Sequence, residues 1–136
     1  MIKILHSADW HLDSAFGALS PRQAAGRRRE SREPLFRLAN YVNQHGIDLV
    51  LLAGDLLDSA VSYHETHEML LSALGSMRAK VFIAPGNHDP YTEASPWASA
   101  AWPDNVHIFR GSEMAAVRLE RLGCVVHGAA FLTPER

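Results

Sequence analysis

Three short apolar runs, each followed at once by a group of polar residues, constrain this chain more than any other feature. The runs lie at residues 2–5, 48–53 and 80–84 and are rich in isoleucine, leucine and valine. Continuous apolar runs of this length are typical of strands buried on both faces of a parallel sheet. Because amphipathic stretches separate them, the order is strand, helix, strand, helix, strand, which predicts right-handed crossovers.

The two stretches between these runs carry helix signals. In the first, apolar residues recur at helical spacing, Pro34 suits the first turn, and Gly46 suits the end of the helix. In the second, Ser62 and Glu65 form a capping box. Further strands are predicted at residues 106–109, 116–119 and 125–131. The sequence therefore predicts an α/β fold in which a sheet is flanked by helices.

Size and composition limit the classes of protein that are possible. The chain has 136 residues, of which 47% are hydrophobic, enough for one domain with a core. A single cysteine, Cys124, excludes an internal disulfide framework and a cysteine-based zinc site. No apolar stretch is long enough to cross a bilayer or to form a signal peptide, so no membrane association and a cytoplasmic location are expected.

The polar groups that follow the three strands contain residues that bind metal ions. Asp9 and His11 follow the first strand, Asp55 follows the second, and Asn87 follows the third. Ligands bind beyond the carboxyl ends of strands in open α/β sheets, and neighbouring strands stand about 5 Å apart. Each group alone is more typical of a turn than of a metal site. Together they favour a site for divalent cations with mixed carboxylate, imidazole and amide ligands.

These motifs carry a family resemblance. The segments DWH (9–11), GDLLD (54–58) and GNHD (86–89) resemble the first three motifs of the calcineurin-like metallophosphoesterases. The flanking segments ILHSADWHLDSAF, IDLVLLAGDLLD and VFIAPGNHDP are similar to those of bacterial DNA-repair exonucleases of the SbcD type, including the YhaO-like branch. The likeness extends over almost the whole chain. Its motifs are specific for the superfamily and less specific for a DNA substrate.

The resemblance implies a phosphodiesterase that uses two divalent ions, of which Mn²⁺ is favoured and Fe²⁺, Zn²⁺ and Mg²⁺ remain open. Asp9 and His11 would hold the first ion, Asp55 would bridge the two, and Asn87 would hold the second. His88 would stabilise the transition state at the scissile phosphate and donate a proton. Two further acidic residues would support the site rather than bind an ion: Asp89, which would orient the His88 ring, and Asp58.

The resemblance also implies partners. DNA would be the substrate, an SbcC-like ATPase would be a partner protein, and a homodimer is possible. Two other interpretations use the same fold. One is a phosphatase or small-molecule phosphodiesterase, and the other is a scaffold that lacks catalysis.

The chain departs from the family at its carboxyl-terminal end. Relatives carry two later motifs, Gly-His and Gly-His-x-His, and neither occurs in this sequence. We therefore expect residues 1–136 to be the N-terminal part of a metallophosphoesterase domain, an incomplete portion of a four-layer αββα sandwich. His127 lies in the reverse order, His-Gly, and is interpreted as a strand residue. Because ligands are missing, weak or absent turnover is expected from these residues alone.

A basic run precedes the first predicted helix. In a nuclease it could contact DNA phosphates, but the interspersed Glu30 and Glu33 are equally typical of a charged surface. The basic residues are Arg22, Arg27, Arg28, Arg29 and Arg32.

Overall fold

The computed structural model describes residues 1–12, 21–58 and 64–134. The elements alternate between strands and helices until β4, after which two strands follow each other directly. In chain order they are β1 (Ile4–Ser7), α1 (Pro21–Gln44), β2 (Leu49–Leu52), α2 (His64–Gly75), β3 (Lys80–Ile83), α3 (Pro96–Ser99), β4 (Val106–Ile108), β5 (Ala115–Leu119) and β6 (Cys124–Gly128).

The main sheet is parallel, with strand order β1-β2-β3-β4. Its register pairs Ile4 with Leu49 and Leu49 with Lys80, so the first three strands begin and end at the same levels. Consecutive strands are neighbours, and each is reached by a crossover. The predicted α/β fold is thus confirmed, and the carboxyl ends of β1, β2 and β3 lie along one edge.

Both faces of the sheet are covered, because successive side chains of a strand point to opposite faces. Val50 and Leu52 pack with apolar residues of α1 and α2 on one face. Leu49 and Phe82 pack on the other face with Phe109 and with the hairpin of β5 and β6. The described residues therefore form a helical layer, a parallel sheet and a second, two-stranded sheet. This arrangement explains why β2 and β3 read as continuous apolar runs.

Helix α1 departs from the sequence prediction at its start but not at its end. The helix begins at Pro21, so the prediction that Pro34 occupies the first turn is wrong, and Pro34 lies in its interior. The residues before Pro34 are largely arginine, glutamate, glutamine and alanine, which are strong helix formers. The end was predicted correctly: Gly46 has φ +61°, and the Ile47 N–H donates to the Val42 carbonyl at 3.1 Å.

Strand boundaries differ by a few residues elsewhere. Strand β1 lies two residues later than predicted, and β6 ends at Gly128 rather than at residue 131. The ladder stops there because the next amides bond elsewhere: Ala130 donates to Gly111, and Phe131 donates to Pro85. His127 is a strand residue, as predicted. Ser62 of the predicted capping box lies outside the described residues.

Candidate metal centre

Three loops leave the carboxyl edge of the sheet and form the candidate site. The first loop comprises residues 8–12 after β1, the second residues 53–58 after β2, and the third residues 84–90 after β3. The first two are joined by main-chain hydrogen bonds beyond the end of the strands. Asp9 N–H donates to Gly54 at 3.1 Å, and His11 N–H donates to Asp55 at 3.0 Å. Backbone pairing thus holds Asp9, His11 and Asp55 next to one another.

The second and third loops approach each other at two glycines. A Cβ atom on Gly54 would lie 3.0 Å from the Gly86 Cα atom, and one on Gly86 would lie 2.7 Å from the Asp55 amide nitrogen. The Asp55 side chain also reaches across, because its Oδ1 atom accepts a hydrogen bond of 2.9 Å from the His88 N–H. Asp55 therefore contacts both neighbouring loops, as a bridging ligand would require.

The buried Asp89 side chain connects the same two loops through hydrogen bonds. Asp89 as a whole residue is 1% exposed, and its carboxylate accepts four main-chain hydrogen bonds. Three come from the second loop, donated by Asp55, Leu56 and Leu57, and one comes from Gly86 in the third. Burial raises the pKa of the Asp89 carboxyl above its ordinary value, although the four donors act in the opposite direction.

These bonds give Asp89 a different position from the one that the family resemblance implies. Its two oxygens face backbone N–H groups rather than the His88 ring. The Asp89 carboxylate therefore makes its hydrogen bonds to the backbone of the second and third loops and none to the His88 ring. Asp55 and Asp89 form a reciprocal pair, which we call the carboxylate lock: each carboxylate accepts hydrogen bonds from the loop that carries the other.

Three of the predicted ligands meet at one point. Asp9, His11 and Asp55 each offer a ligand atom, and these atoms lie within 4.8 Å of one another. Two carboxylates and one imidazole fit a hard or borderline divalent cation. Asn87 and His88 are exposed on the adjacent third loop, and the ring centroids of His88 and His11 are 5.4 Å apart. The structure thus supplies a possible metal triad, with His88 beside it.

All three members of the triad have a strained backbone. The φ angles are +57° at Asp9, +48° at His11 and +53° at Asp55, and no other non-glycine residue among those described has positive φ. The left-handed region costs L-residues about 1–2 kcal/mol, with less for aspartate. Strain of this kind concentrates at functional sites, where the surrounding structure enforces it. The hydrogen bonds between the first two loops provide that enforcement here.

The strain at Asp9 leads to a stability prediction. Asp9→Gly should make the protein about 1 kcal/mol more stable than Asp9→Ala, because only alanine keeps a Cβ atom at φ +57°. Both variants remove the carboxylate, whose side chain is 66% exposed, so the comparison isolates the backbone effect. Urea unfolding in metal-free buffer measures the difference. Equal stability of the two variants would show that the left-handed conformation carries no strain.

One hydrogen bond that supports the site could not be predicted from the three sequence motifs. Trp97, in the short helix α3, donates its indole N–H to the Asp89 carbonyl at 2.7 Å and is buried. It therefore helps to hold the third loop against the core. The sequence motifs predicted neither α3 nor this bond, since Trp97 lies eight residues beyond Asp89. The one signal that could have indicated α3 is the Ser95-Pro96 pair, which is typical of a helix start.

Comparison with known proteins decides the family. The sequence profile of the calcineurin-like phosphoesterases matches residues 2–134. The chain belongs to this family. The profile extends over all three loops and the hairpin, so the residues of the candidate metal centre lie within the matched region. Members of the family are metal-dependent phosphoester hydrolases, which agrees with the donor set of the triad.

Individual relatives share a modest sequence identity with this chain. The chain is 35% identical over 115 residues to the uncharacterized metallophosphoesterase YhaO of Bacillus subtilis, covering 79% of this chain and 28% of that protein. It is 33% identical over 94 residues to the D subunit of nuclease SbcCD from Rhodobacter capsulatus, covering 65% and 22%. Against the D subunit of nuclease SbcCD from Bacillus subtilis, identity is 25% over 111 residues, covering 79% and 27%.

The chain thus spans at most 28% of the length of these relatives. Within the described residues, no helix combines the length and apolar character needed to cross a bilayer.

Proposed function

We propose that this chain forms the metal-binding part of a phosphodiesterase that acts on DNA ends with two divalent ions, preferably Mn²⁺. The observation that carries the proposal is the convergence of Asp9, His11 and Asp55 at the carboxyl edge of the sheet. The exposed His88 lies next to them, where a phosphate could approach from solvent. The family supports phosphoester hydrolysis as the reaction class.

Each residue has a role in this proposal. Asp9 and His11 would hold the first ion, and Asp55 would bridge through the carboxylate that already accepts the His88 N–H. Asn87 would hold the second ion. When bound, two such metal ions supply Lewis acidity: they lower the pKa of a water molecule and hold the phosphate for in-line displacement.

His88 would face the scissile phosphate, stabilise its developing charge and donate a proton to the leaving oxygen. The carboxylate lock would keep the His88 backbone at a fixed position relative to Asp55. Preorganisation of this kind lowers the cost of ordering the site during the reaction.

DNA is proposed as the substrate because two of the relatives are named as part of a nuclease. The same name supports an SbcC-like partner protein, for which we propose ATPase activity, and we extend the proposal to a homodimer and a cytoplasmic location. The basic run on α1 remains a candidate DNA contact, of which the structure describes only the exposed Arg22 side chain. Cleavage of linear duplex DNA, but not of mononucleotides, would separate this function from that of a phosphatase or small-molecule phosphodiesterase.

The test is hydrolysis of bis-p-nitrophenyl phosphate at saturating Mn²⁺, with His88→Ala and Asp55→Ala as variants. We expect a slow rate from these 136 residues, because the two later histidine motifs that the family resemblance implies do not occur in the sequence. Both variants should reduce that rate to the level without enzyme. Asp104→Ala, an exposed acidic residue before β4, is the matched control and should keep the rate. Equal rates in wild type and both site variants, each clearly above the rate without enzyme, would eliminate the mechanism.

A further inference from the structure

Asp58 contacts the imidazole of a proposed metal ligand. Its Oδ1 atom lies 3.0 Å from the His11 Nδ1 atom. The other ring nitrogen, Nε2, lies 4.0 Å from Asp9 Oδ1, on the side where the triad meets. The two nitrogens of one ring therefore face two different partners.

We propose that Asp58 is a positioning residue that holds His11 in the tautomer required for metal binding. This inference rests on the proposed function. A carboxylate oxygen can only accept a hydrogen bond, so the proton of a neutral His11 ring is placed on Nδ1. The lone pair is then left on Nε2, which is the atom directed towards Asp9. A carboxylate behind a ligating histidine also raises the basicity of the ring.

The contact between Asp58 and His11 is fixed by the backbone of both loops. Asp58 N–H donates to the Leu12 carbonyl at 3.0 Å, and Leu12 N–H donates to Leu56 at 2.9 Å. The residues adjacent to the pair, Leu12 and Leu57, are buried and form an isolated parallel bridge. The side chains of His11 and Asp58 are 36% and 34% exposed, and the paired backbones hold them next to each other. This differs from an ordinary surface ion pair, in which flexible side chains must be ordered.

The first readout is the tautomer of His11 in the metal-free protein, measured by long-range ¹H–¹⁵N correlation above pH 8. The chain has eight histidines, so the His11 signals are assigned by their loss in His11→Gln. In wild type we expect the proton on Nδ1. Asp58→Ala removes the acceptor and should move the proton towards Nε2. Asp58→Asn keeps the shape but can either accept or donate, and should populate both tautomers.

The second readout is Mn²⁺ affinity, followed by the loss of the free-ion signal in electron paramagnetic resonance. Because partners of ligating histidines typically affect affinity about 10–100-fold, both Asp58 variants should bind at least about tenfold more weakly. The control Asp104→Ala should match wild type. Circular dichroism verifies that each variant is folded.

The two hypotheses fail in different ways. An unchanged His11 tautomer in folded Asp58→Ala, or affinity within twofold of wild type in both variants, would overturn the role of Asp58. Failure of wild type to bind Mn²⁺ would instead contradict the proposed function, while the tautomer in the metal-free protein would still report on the contact.

Discussion

Asp89→Ala should destabilise the folded protein by more than about 3 kcal/mol, a large part of the about 5–15 kcal/mol typical of a domain. The substitution leaves four main-chain N–H groups of the second and third loops without their acceptor. Each buried donor without a partner costs about 1–3 kcal/mol, reduced where the loops can move to reach water. Urea unfolding in metal-free buffer, followed by circular dichroism, measures the change.

Asp48→Ala is the matched control for this experiment. Asp48 also accepts a main-chain hydrogen bond through its carboxylate, but among the described residues only from Lys3, at a half-buried position before β2. Its substitution should cost about 1 kcal/mol or less. An Asp89→Ala protein with stability within about 1 kcal/mol of wild type would mean that the carboxylate lock contributes little to the stability of the site.

Gly86→Ala is expected to damage both stability and metal binding. A Cβ atom there would overlap Asp55 Oδ1 and lie 2.7 Å from the Asp55 amide nitrogen. Since the groups in the way belong to the packed second loop, the loop must shift, at a cost of about 1–3 kcal/mol. The shift moves the bridging carboxylate, so Mn²⁺ affinity should fall about tenfold or more. Unfolding and paramagnetic resonance titrations measure the two effects.

Gly111→Ala provides the comparison, because the nearest atom to its added Cβ lies 4.0 Å away. It should preserve both stability and Mn²⁺ affinity. If Gly86→Ala behaved like Gly111→Ala, close contact between the second and third loops would not be needed to position Asp55.

That the three loops would lie along one edge could be predicted from the sequence, for a reason that lies in the sheet. Parallel strands in consecutive order place their carboxyl ends along one edge, so Asp9, Asp55 and His88 converge however far apart they lie in the chain. The motif residues follow their strands directly and leave little freedom in where they emerge. Apolar runs and motif positions were therefore enough to bring the three loops together.

The finer contacts could not be predicted, because they depend on how each loop is folded. The acceptor role of Asp89 requires four N–H groups to point at its carboxylate. The motif GNHD does not predict this arrangement, because three of the donors belong to another loop. The pairing of Asp58 with His11 depends on the parallel bridge between the first two loops. The start of α1 was missed for a different reason: proline is common in a first turn, and Pro34 lies within the helix instead.

The central claim is that Asp9, His11 and Asp55 together bind a metal ion at the carboxyl edge of the sheet. Anomalous scattering from crystals soaked in Mn²⁺ tests it most directly. We predict a peak at about 2.0–2.3 Å from oxygen atoms of Asp9 and Asp55 and from the His11 Nε2 atom. A peak elsewhere on the surface, or no peak beside these three side chains at saturating Mn²⁺, would contradict the metal centre and the chemistry built on it.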